Sequence, residues 1–283
     1  FKILKEKYEI QWFEKNSDPN YQCELMNVCI PWSENFFDII VKYYSIQRPK
    51  YIIVHSSVPV GTCEKLGRLV DAKVFHSPIR GRHPDLSEAI KIYVKYIGTD
   101  SHDTAINDCV CDYFFEAGMN VKLIGGTRAT ELAKLLELCR YGTYIAVAKE
   151  QEMICKDFGV DFKVAVSEYE KTRNDYFLSI GSTDFCQPVL YPFKDYVGGH
   201  CTVEDMEILL EQKEYPLLKQ AYEIDRNTKI WGNCNVYKTA KIGKGCSIGN
   251  GTEIGNDVVI GNNVRIGAMC FIPEGVTIED DCF

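Results

Sequence analysis

Two turn-rich loops in the first half of the chain carry side chains suited to anion binding. One loop, residues 75–84, contains Arg80, Arg82, two histidines and two prolines. Arginine guanidinium groups bind phosphates and carboxylates through paired hydrogen bonds. Two interpretations of this loop have equal weight. Either Arg80 and Arg82 bind an anionic substrate, or the loop is simply basic and solvated.

The other loop, residues 55–62, follows a continuous apolar segment at 51–54. It places the hydroxyls of Ser56 and Ser57 and the backbone of Gly61 at a predicted strand end. From this loop alone, the favoured interpretation is a turn followed by a helix cap. Ligand binding is the alternative.

The elements that must position these loops alternate between strands and helices. Apolar runs at 9–13, 25–30, 51–54, 74–75, 93–97 and 121–124 predict strands, and helical patterns lie at 33–44, with Ser33 as the cap, and at 103–118. Alternation of this kind indicates a doubly wound α/β domain of the Rossmann type. In such a sheet, ligands bind outside the carboxyl ends of the strands, where both loops lie.

Composition excludes several classes of function. A chain of 283 residues is too long for one hydrophobic core of ordinary size, which indicates two or three domains. The chain has 32 basic and 40 acidic residues, whereas nonspecific nucleic-acid binding needs a basic surplus, so we expect no nucleic-acid partner. The longest apolar stretches fall far short of the roughly 20 residues of a membrane helix. No export signal is visible, and we expect a cytoplasmic protein without a membrane partner.

The 13 cysteines are an odd number without regular spacing, which favours reduced thiols. No CxxC pair occurs, and Cys109 with Cys111 has no second pair nearby. We therefore expect no metal site.

Three motifs occur in a characteristic order: VHSSVPVGT at 54–62, ATELAK at 129–134, and YVGGHC at 196–201, followed by Asp205. Together they resemble the UDP-glucose/GDP-mannose 6-dehydrogenase family over about residues 1–215. The resemblance implies an NAD-dependent enzyme that oxidises C6 of a nucleotide sugar twice, from alcohol to carboxylate, through a thiohemiacetal on cysteine.

The resemblance assigns three catalytic roles. Cys201 is the nucleophile, Lys134 stabilises the developing alkoxide, and Asp205 organises water or accepts a proton. Gly198 and Gly199 join Arg80 and Arg82 as expected substrate contacts. Without the resemblance, Cys201 is better interpreted as a structural thiol and Lys134 as a solvated residue.

For NAD, the resemblance implies contacts with Glu14, Pro31 and Ser57. Glu14 ends an early predicted strand, where a carboxylate accepts hydrogen bonds from the ribose. A GxGxxG phosphate loop is absent from the sequence. Residues 1–7 look like the end of an amphipathic helix, so we expect that the chain is a fragment and that the first βα unit precedes it.

The sequence departs from the family at the candidate site. Ile79 stands where the family has glutamate, Leu138 stands where it has asparagine one turn after the lysine, and Thr202-Val203 follows the cysteine instead of x-Pro. A changed substrate and a lost oxidation step both remain open.

Helical spacing of apolar residues over 130–158 predicts one long helix or two in series. In the family this helix lies between domains and mediates a dimer. Most of it is expected to be core, with Lys134 and Glu150 as the functional candidates.

A six-residue repeat fills the end of the chain. Aliphatic residues recur every six positions, at Val236, Ile242, Ile248, Ile254, Ile260, Ile266, Ile272 and Ile278. This hexapeptide pattern predicts a parallel β-helix. Residues 227–231 and 276–283 resemble N-acetyltransferases that act on UDP-linked 3-amino sugar uronates. Those enzymes have left-handed β-helices and form trimers, and acetyl-CoA is the expected cofactor.

A histidine base is missing from this second resemblance. No histidine follows His200, and Gly232 stands where relatives often carry one. The alternative is a β-helix that only oligomerises the dehydrogenase.

We predict three domains. They are a Rossmann-like NAD-binding domain at 1–126, a helical domain with the cysteine loop at 127–215, and a β-helix at 216–283. The predicted function is a bifunctional nucleotide-sugar enzyme that forms a homo-oligomer. The alternatives are an acyltransferase with a degenerate dehydrogenase domain and a noncatalytic scaffold.

Overall fold

The computed structural model describes residues 2–11, 13, 22–81, 85–192, 200–225, 229–230, 234–237, 239–243 and 245–283. Of the predicted site residues, Glu14, Arg82, Gly198 and Gly199 lie outside these ranges. The chain divides into two compact units, Phe1–Leu138 and Cys139–Phe283. The three-domain boundaries stay a prediction.

A five-stranded sheet forms the centre of the first unit. Its strands lie in chain order: β1 (Leu25–Val28), β2 (Tyr51–Val54), β3 (Lys73–His76), β4 (Val94–Thr99) and β5 (Asn120–Leu123). Neighbouring strands are parallel except β3 and β4, which are antiparallel. Strands β4 and β5 therefore run opposite to β1, β2 and β3.

Helices accompany the strands. They are α1 (Lys2–Lys5), α2 (Phe36–Gln47), α3 (Thr62–Leu69), α4 (Leu86–Ile92) and α5 (Thr104–Phe115). On β2, Ile52 and Val54 pack into one apolar cluster with α2 and α3, whereas Ile53 packs into another with α5. Both faces of β2 are therefore buried, which explains its uninterrupted apolar sequence. The predicted Rossmann-like α/β architecture is confirmed.

Two early predictions were wrong. Residues 9–11 and 13 form no strand. Helix α2 begins at Phe36 with Asn35 at its N-cap, and Ser33 does not cap it. Instead, the Ser33 hydroxyl donates a hydrogen bond of 2.8 Å to the Asn35 side-chain oxygen. A local side-chain bond thus occupies the serine that the sequence offered as a cap.

The long helix is continuous. Helix α6 runs from Thr127 to Asp157, so the single-helix alternative is correct. It is followed by a π-helical turn (Lys163–Ser167) and by α7 (Glu168–Ser179), α8 (His200–Gln212) and α9 (Pro216–Asp225).

Polar side chains of α7 contact the segment that follows this helix. Arg173 donates to the carbonyl of Phe185, and Asn174 donates to that of Gln187. Cys201 also lies in the first turn of α8 and not in a loop.

The hexapeptide region forms three parallel sheets of two-residue strands. One contains β6 (Lys229–Ile230), β9 (Ser247–Ile248) and β12 (Arg265–Ile266); one β7 (Asn235–Val236), β10 (Glu253–Ile254) and β13 (Phe271–Ile272); and one β8 (Lys241–Ile242), β11 (Val259–Ile260) and β14 (Thr277–Ile278). Paired residues are 18 positions apart, as Ile254 with Ile272. Three hexads therefore complete one turn, the arrangement that a parallel β-helix requires. Its left-handed sense stays a prediction.

The repeat positions have distinct roles. Ile248, Ile254 and Ile260 are buried in one core with Cys246 and Val258. Every sixth residue from Gly245 to Asp281 has positive φ. Glycine occupies three of these seven turns, because it alone adopts that conformation without a steric cost.

Within the described ranges, no helix combines the length and apolar character needed to cross a membrane. The same part of the chain contains no group of three or more His, Cys, Asp or Glu side chains that could hold a metal ion.

Candidate functional site

The start of α6 holds the loop after β2. Glu131 is fully buried, and its carboxylate accepts hydrogen bonds from the backbone N–H groups of Gly61 (2.6 Å) and Cys63 (2.8 Å). These groups belong to the first turn of α3, where N–H groups lack partners within the helix. Glu131 therefore caps α3 from a distant position in the sequence and fixes the end of the VHSSVPVGT loop.

One residue earlier, α6 also holds the end of β3. His76 is fully buried between the Thr130 hydroxyl, 2.9 Å from Nδ1, and the Ser56 carbonyl, 3.2 Å from Nε2. Burial, with smaller effects of the Lys95 and Lys134 charges, lowers the pKa of His76 to about 4.

A third contact from α6 holds the loop after β3. Glu137 accepts hydrogen bonds from Nε and Nη2 of Arg80, with distances of 2.7 to 3.2 Å. The guanidinium also lies over the rings of Tyr93 and Tyr96. Glu137 raises the pKa of Arg80, which stays charged. Arg80 thus binds a carboxylate, as its type predicted, but the carboxylate is the protein's own.

We call Thr130, Glu131, Lys134 and Glu137 the anchoring face of α6. Their spacing of three and four residues places them on one side of the helix. Three of them hold the loops that follow β2 and β3, and half-buried Lys134 lies between them. The resemblance identified Lys134, whereas the other three were missed. The i, i+1, i+4, i+7 polar pattern was the available signal.

A buried lysine network lies behind the same loops. Lys95 Nζ lies 2.6 Å from the Ser77 carbonyl, 3.3 Å from that of Pro78 and 3.2 Å from His55 Nδ1. His55 Nε2 lies 2.8 Å from the side-chain oxygen of Asn27. Burial lowers the pKa of Lys95 to about 7. Sequence reasoning missed this network, because a lysine within a strand pattern usually indicates an exposed position.

The position of the missing family glutamate is apolar. Ile79 is partly buried beside Lys95, and the preceding Ser77 donates a hydrogen bond of 2.8 Å to the Tyr96 carbonyl. The apolar side chain of Ile79 therefore cannot exchange a proton. Chemistry at this edge must use other groups.

The predicted cofactor contacts lie at neighbouring strand ends. Pro31 follows β1, Ser57 follows β2, and these strands are parallel with Val28 paired to Val54. The Ser56 hydroxyl donates to the Ile30 carbonyl at 2.5 Å and joins the two loops. Dinucleotides bind at such an edge in doubly wound sheets. The exposed Pro31 and half-buried Ser57 fit that position.

In the second unit, α8 carries the candidate nucleophile. Cys201 is exposed in the first turn, where a helix stabilises negative charge. Asp205 follows one turn later and is almost fully buried. Its carbonyl lies 3.6 Å from the Cys139 thiol. Burial, followed by the Asp205 charge, raises the pKa of Cys139 to about 12, so Cys139 stays protonated.

Lys134 belongs to the first unit, whereas Cys201 and Asp205 belong to the second. The convergence of all three on one reacting carbon stays a prediction, and so do the substrate contacts.

Solved structures share this architecture. The match to a UDP-D-ManNAc dehydrogenase from Pyrococcus horikoshii covers 86% of this chain and 71% of the dehydrogenase chain, with a TM-score of 0.57 and 16% sequence identity. The match to an NDP-N-acetyl-D-galactosaminuronic acid dehydrogenase from Methanosarcina mazei Go1 covers 77% of this chain and 55% of the dehydrogenase chain, with a TM-score of 0.51 and 15% sequence identity.

The fold is that of the nucleotide-sugar dehydrogenases. At these identities the likeness concerns the fold alone, and the chain spans little more than half of the second structure. Beyond this dehydrogenase fold, residues 222–256 match the bacterial transferase hexapeptide family (six repeats). Sequence comparison with curated proteins gives no match. The predicted combination of a dehydrogenase fold with a hexapeptide repeat is thus confirmed.

Proposed function

We propose that the protein is an NAD-dependent nucleotide-sugar 6-dehydrogenase that oxidises a UDP- or GDP-sugar to the uronate. The observation that carries this proposal is the anchoring face of α6. It contacts the loop after β2, the end of β3 and the loop after β3, and Lys134 is on the same side of the helix. A cation fixed at the ligand edge of a dehydrogenase fold is suited to stabilise an oxyanion.

The proposed reaction uses three side chains of this chain. When bound, NAD would accept one hydride from C6 in each of the two oxidations, and in the first the C6 hydroxyl proton is released to water. The Cys201 thiolate then adds to the aldehyde carbon, and the carbonyl oxygen becomes an alkoxide stabilised by Lys134. Collapse of the alkoxide with loss of the second hydride gives a thioester. Asp205 then takes a proton from water, whose oxygen attacks the thioester carbon and displaces the thiolate. The carboxylic acid that forms releases its own proton to water and becomes the carboxylate.

The hexapeptide region supports a second proposed activity. A left-handed β-helix of this kind would belong to an acetyl-CoA-dependent sugar N-acetyltransferase and would assemble as a trimer. Exposed apolar side chains along α6, including Leu132, Leu136 and Tyr144, support a dimer through that helix. Either assembly would make the protein a homo-oligomer. The substrate would be a nucleotide sugar.

Specific observations favour the alternative of a degenerate dehydrogenase domain. Ile79 and Leu138 replace a glutamate and an asparagine of the family. Glu137 binds the guanidinium group of Arg80, which a substrate would otherwise contact. In this alternative, the first unit binds a nucleotide sugar without oxidising it, or serves only as part of a scaffold.

The test is NADH formation from a panel of UDP- and GDP-sugars by the full-length protein. We compare wild type with Cys201→Ser and with the matched control Cys109→Ser, which alters another exposed thiol. Loss of the uronate and of the second NADH per sugar in Cys201→Ser alone supports the proposal. Absence of NADH with every sugar, despite measurable NAD binding, favours the degenerate domain.

A further inference from the structure

Arg80 belongs to a loop whose backbone is fixed on both sides of it. One residue later, Gly81 has a φ of 133°, and a Cβ atom there would lie 2.5 Å from the Cβ atom of Ala89 on α4. Glycine is the residue that fits such a close approach. Before Arg80, the Ser77 hydroxyl donates a 2.8 Å hydrogen bond to the Tyr96 carbonyl. The loop after β3 is therefore attached to α4 and to β4.

The guanidinium group of Arg80 is also enclosed. Its carbon lies 4.9 Å from the ring centroid of Tyr93 and 5.7 Å from that of Tyr96. Aromatic faces at these distances attract a cation. Nε and Nη2 donate hydrogen bonds to the carboxylate of Glu137, and Nε reaches both of its oxygens. A charge-assisted fork of this kind fixes the orientation of both partners. The Glu137 carboxylate is thus directed toward Arg80.

Glu137 has a second cation one helical turn away. It follows Lys134 by three residues on α6, and residues at this spacing are neighbours on a helix surface. Lysine and glutamate at such positions attract each other. Nevertheless, the ion pairs among the described residues include Arg80 with Glu137 and do not include Lys134. The carboxylate therefore pairs with the arginine, 57 residues earlier in the chain, and not with the local lysine.

Two physical reasons favour the arginine. A guanidinium fork can bind both carboxylate oxygens at once, whereas an ammonium group is a point charge on a flexible stem. In addition, the Arg80 and Glu137 side chains are only 27% and 34% exposed, so salt and water screen this pair less than a fully exposed one. The carboxylate on the same turn of α6 is consequently kept from the Lys134 ammonium.

We propose that Arg80 is a positioning residue for Lys134: by binding Glu137, it prevents this carboxylate from pairing with the Lys134 ammonium. The inference rests on the proposed function, in which Lys134 stabilises the alkoxide at C6. A lysine that is already paired with a carboxylate stabilises a developing oxyanion less, because two negative groups then share one cation. Arg80 thus acts on the reaction without contacting the sugar.

The first test measures the rate at which acetic anhydride labels Lys134 in the full-length protein at about pH 8, with exposed Lys171 as the internal reference. The neutral amine is the form that reacts, and an ammonium paired with a carboxylate releases its proton less readily. We expect Arg80→Met to lower the Lys134 rate at least about threefold, because Glu137 then turns toward Lys134. The double variant Arg80→Met/Glu137→Gln should regain the wild-type rate.

The matched control is Arg68→Met, which removes an exposed arginine that pairs with Glu64 on α3. It should leave the labelling of Lys134 unchanged. Circular dichroism verifies that each variant folds. If Arg80→Met does not fold, Arg80→Lys replaces it. Its ammonium lacks the planar fork, so the Lys134 rate should fall by a smaller factor, and Glu137→Gln should again reverse the fall.

The second test measures NADH formation from the sugar that the wild type oxidises. A positioning role predicts that Arg80→Met lowers kcat at least about tenfold and changes KM less than about twofold, and that the added Glu137→Gln restores at least about threefold of kcat. A direct contact between Arg80 and the sugar would instead raise KM, and Glu137→Gln would restore nothing.

The proposal is overturned if Lys134 is labelled equally in wild type and in a folded Arg80 variant, or if Glu137→Gln fails to reverse the loss. It is also overturned by the KM pattern of a direct sugar contact. Absence of NADH with every sugar would refute the proposed function alone. The labelling rates would still decide whether Arg80 keeps Glu137 from Lys134.

Discussion

The carboxylate of Glu131 on α6 accepts a 2.6 Å hydrogen bond from the backbone N–H of Gly61, seventy residues earlier in the chain. A second bond to Cys63 makes Glu131 the cap of α3. The loop carrying Ser56 and Ser57 is thereby tied to the helix that carries Lys134. Local sequence contributes no cap at this helix, because Gly61 has no side chain to offer.

Replacement of Glu131 by glutamine should destabilise the protein by about 1–3 kcal/mol. The amide keeps one acceptor but turns an NH₂ group toward the second backbone N–H, which is left buried and unsatisfied. Urea unfolding monitored by circular dichroism measures the loss. Glu150→Gln, at an exposed position of the same helix, should change stability by less than about 0.5 kcal/mol. Equal effects of both variants would contradict the capping role.

The stability of the protein should depend on His76 at acid pH. Its folded pKa, about 4, lies below the ordinary value of 6.5, so the folded state resists protonation. The free energy of unfolding must therefore decrease as the pH falls from 6.5 toward 4, because protons bind the unfolded state more tightly. His76→Gln cannot take up this proton, and its stability should decline less steeply over the same range.

Urea titrations across that pH interval provide the measurement. Buried His55 keeps its own contribution, so the slope should shrink without vanishing. His102→Gln, which alters an exposed histidine, is the control for the substitution itself. An unaltered slope in His76→Gln would rule out this linkage.

Ile248 is fully buried in the core of the hexapeptide region. Truncation to alanine should cost about 2–5 kcal/mol, because the lost side chain leaves a cavity among stacked aliphatic residues. Hydrogen–deuterium exchange should accelerate in β9 and β12, which pair at this position. Val259→Ala, at a 42% exposed site of the same repeat, is the control and should leave exchange nearly unchanged. Similar exchange in both variants would argue against the buried stack.

Met269 has a φ of 59°, in a turn where glycine or asparagine is preferred. Met269→Gly should stabilise the protein by about 0.5–1 kcal/mol, since relief of left-handed strain exceeds the added chain entropy. Few contacts are lost, because Met269 is 82% exposed. The same change in α6, Met153→Gly, should destabilise by about 1 kcal/mol. Thermal denaturation compares the two, and shifts of the same sign would refute the assignment of strain.

Several elements followed from local sequence. The 51–54 strand was predictable because both of its faces are buried, which leaves no polar position to obscure the pattern. The hexapeptide register was predictable because the same position of successive hexads is buried, as at Ile248, Ile254 and Ile260. Helix α2, predicted over 33–44, lies at Phe36–Gln47. Its start differs because Ser33 bonds to Asn35 instead of capping the helix.

The candidate site was less predictable. Lys134 was found by resemblance, but its neighbours Thr130, Glu131 and Glu137 act on loops far away in the sequence. The assignment of Arg80 as an anion-binding group was chemically sound. Its partner Glu137 is 57 residues later, and no local pattern identifies such a pair.

The sequence by itself determined the 51–54 strand, the long helix and the six-residue repeat, since the spacing of apolar side chains along the chain reports their burial. It also placed the loops that follow β2 and β3. Only the tertiary structure decided which charges these loops contact. Glu131 caps α3, Glu137 pairs with Arg80, and Lys95 is buried beside His55. The energy of a charge depends on the groups within a few ångströms of it, and chain folding alone brings those groups together.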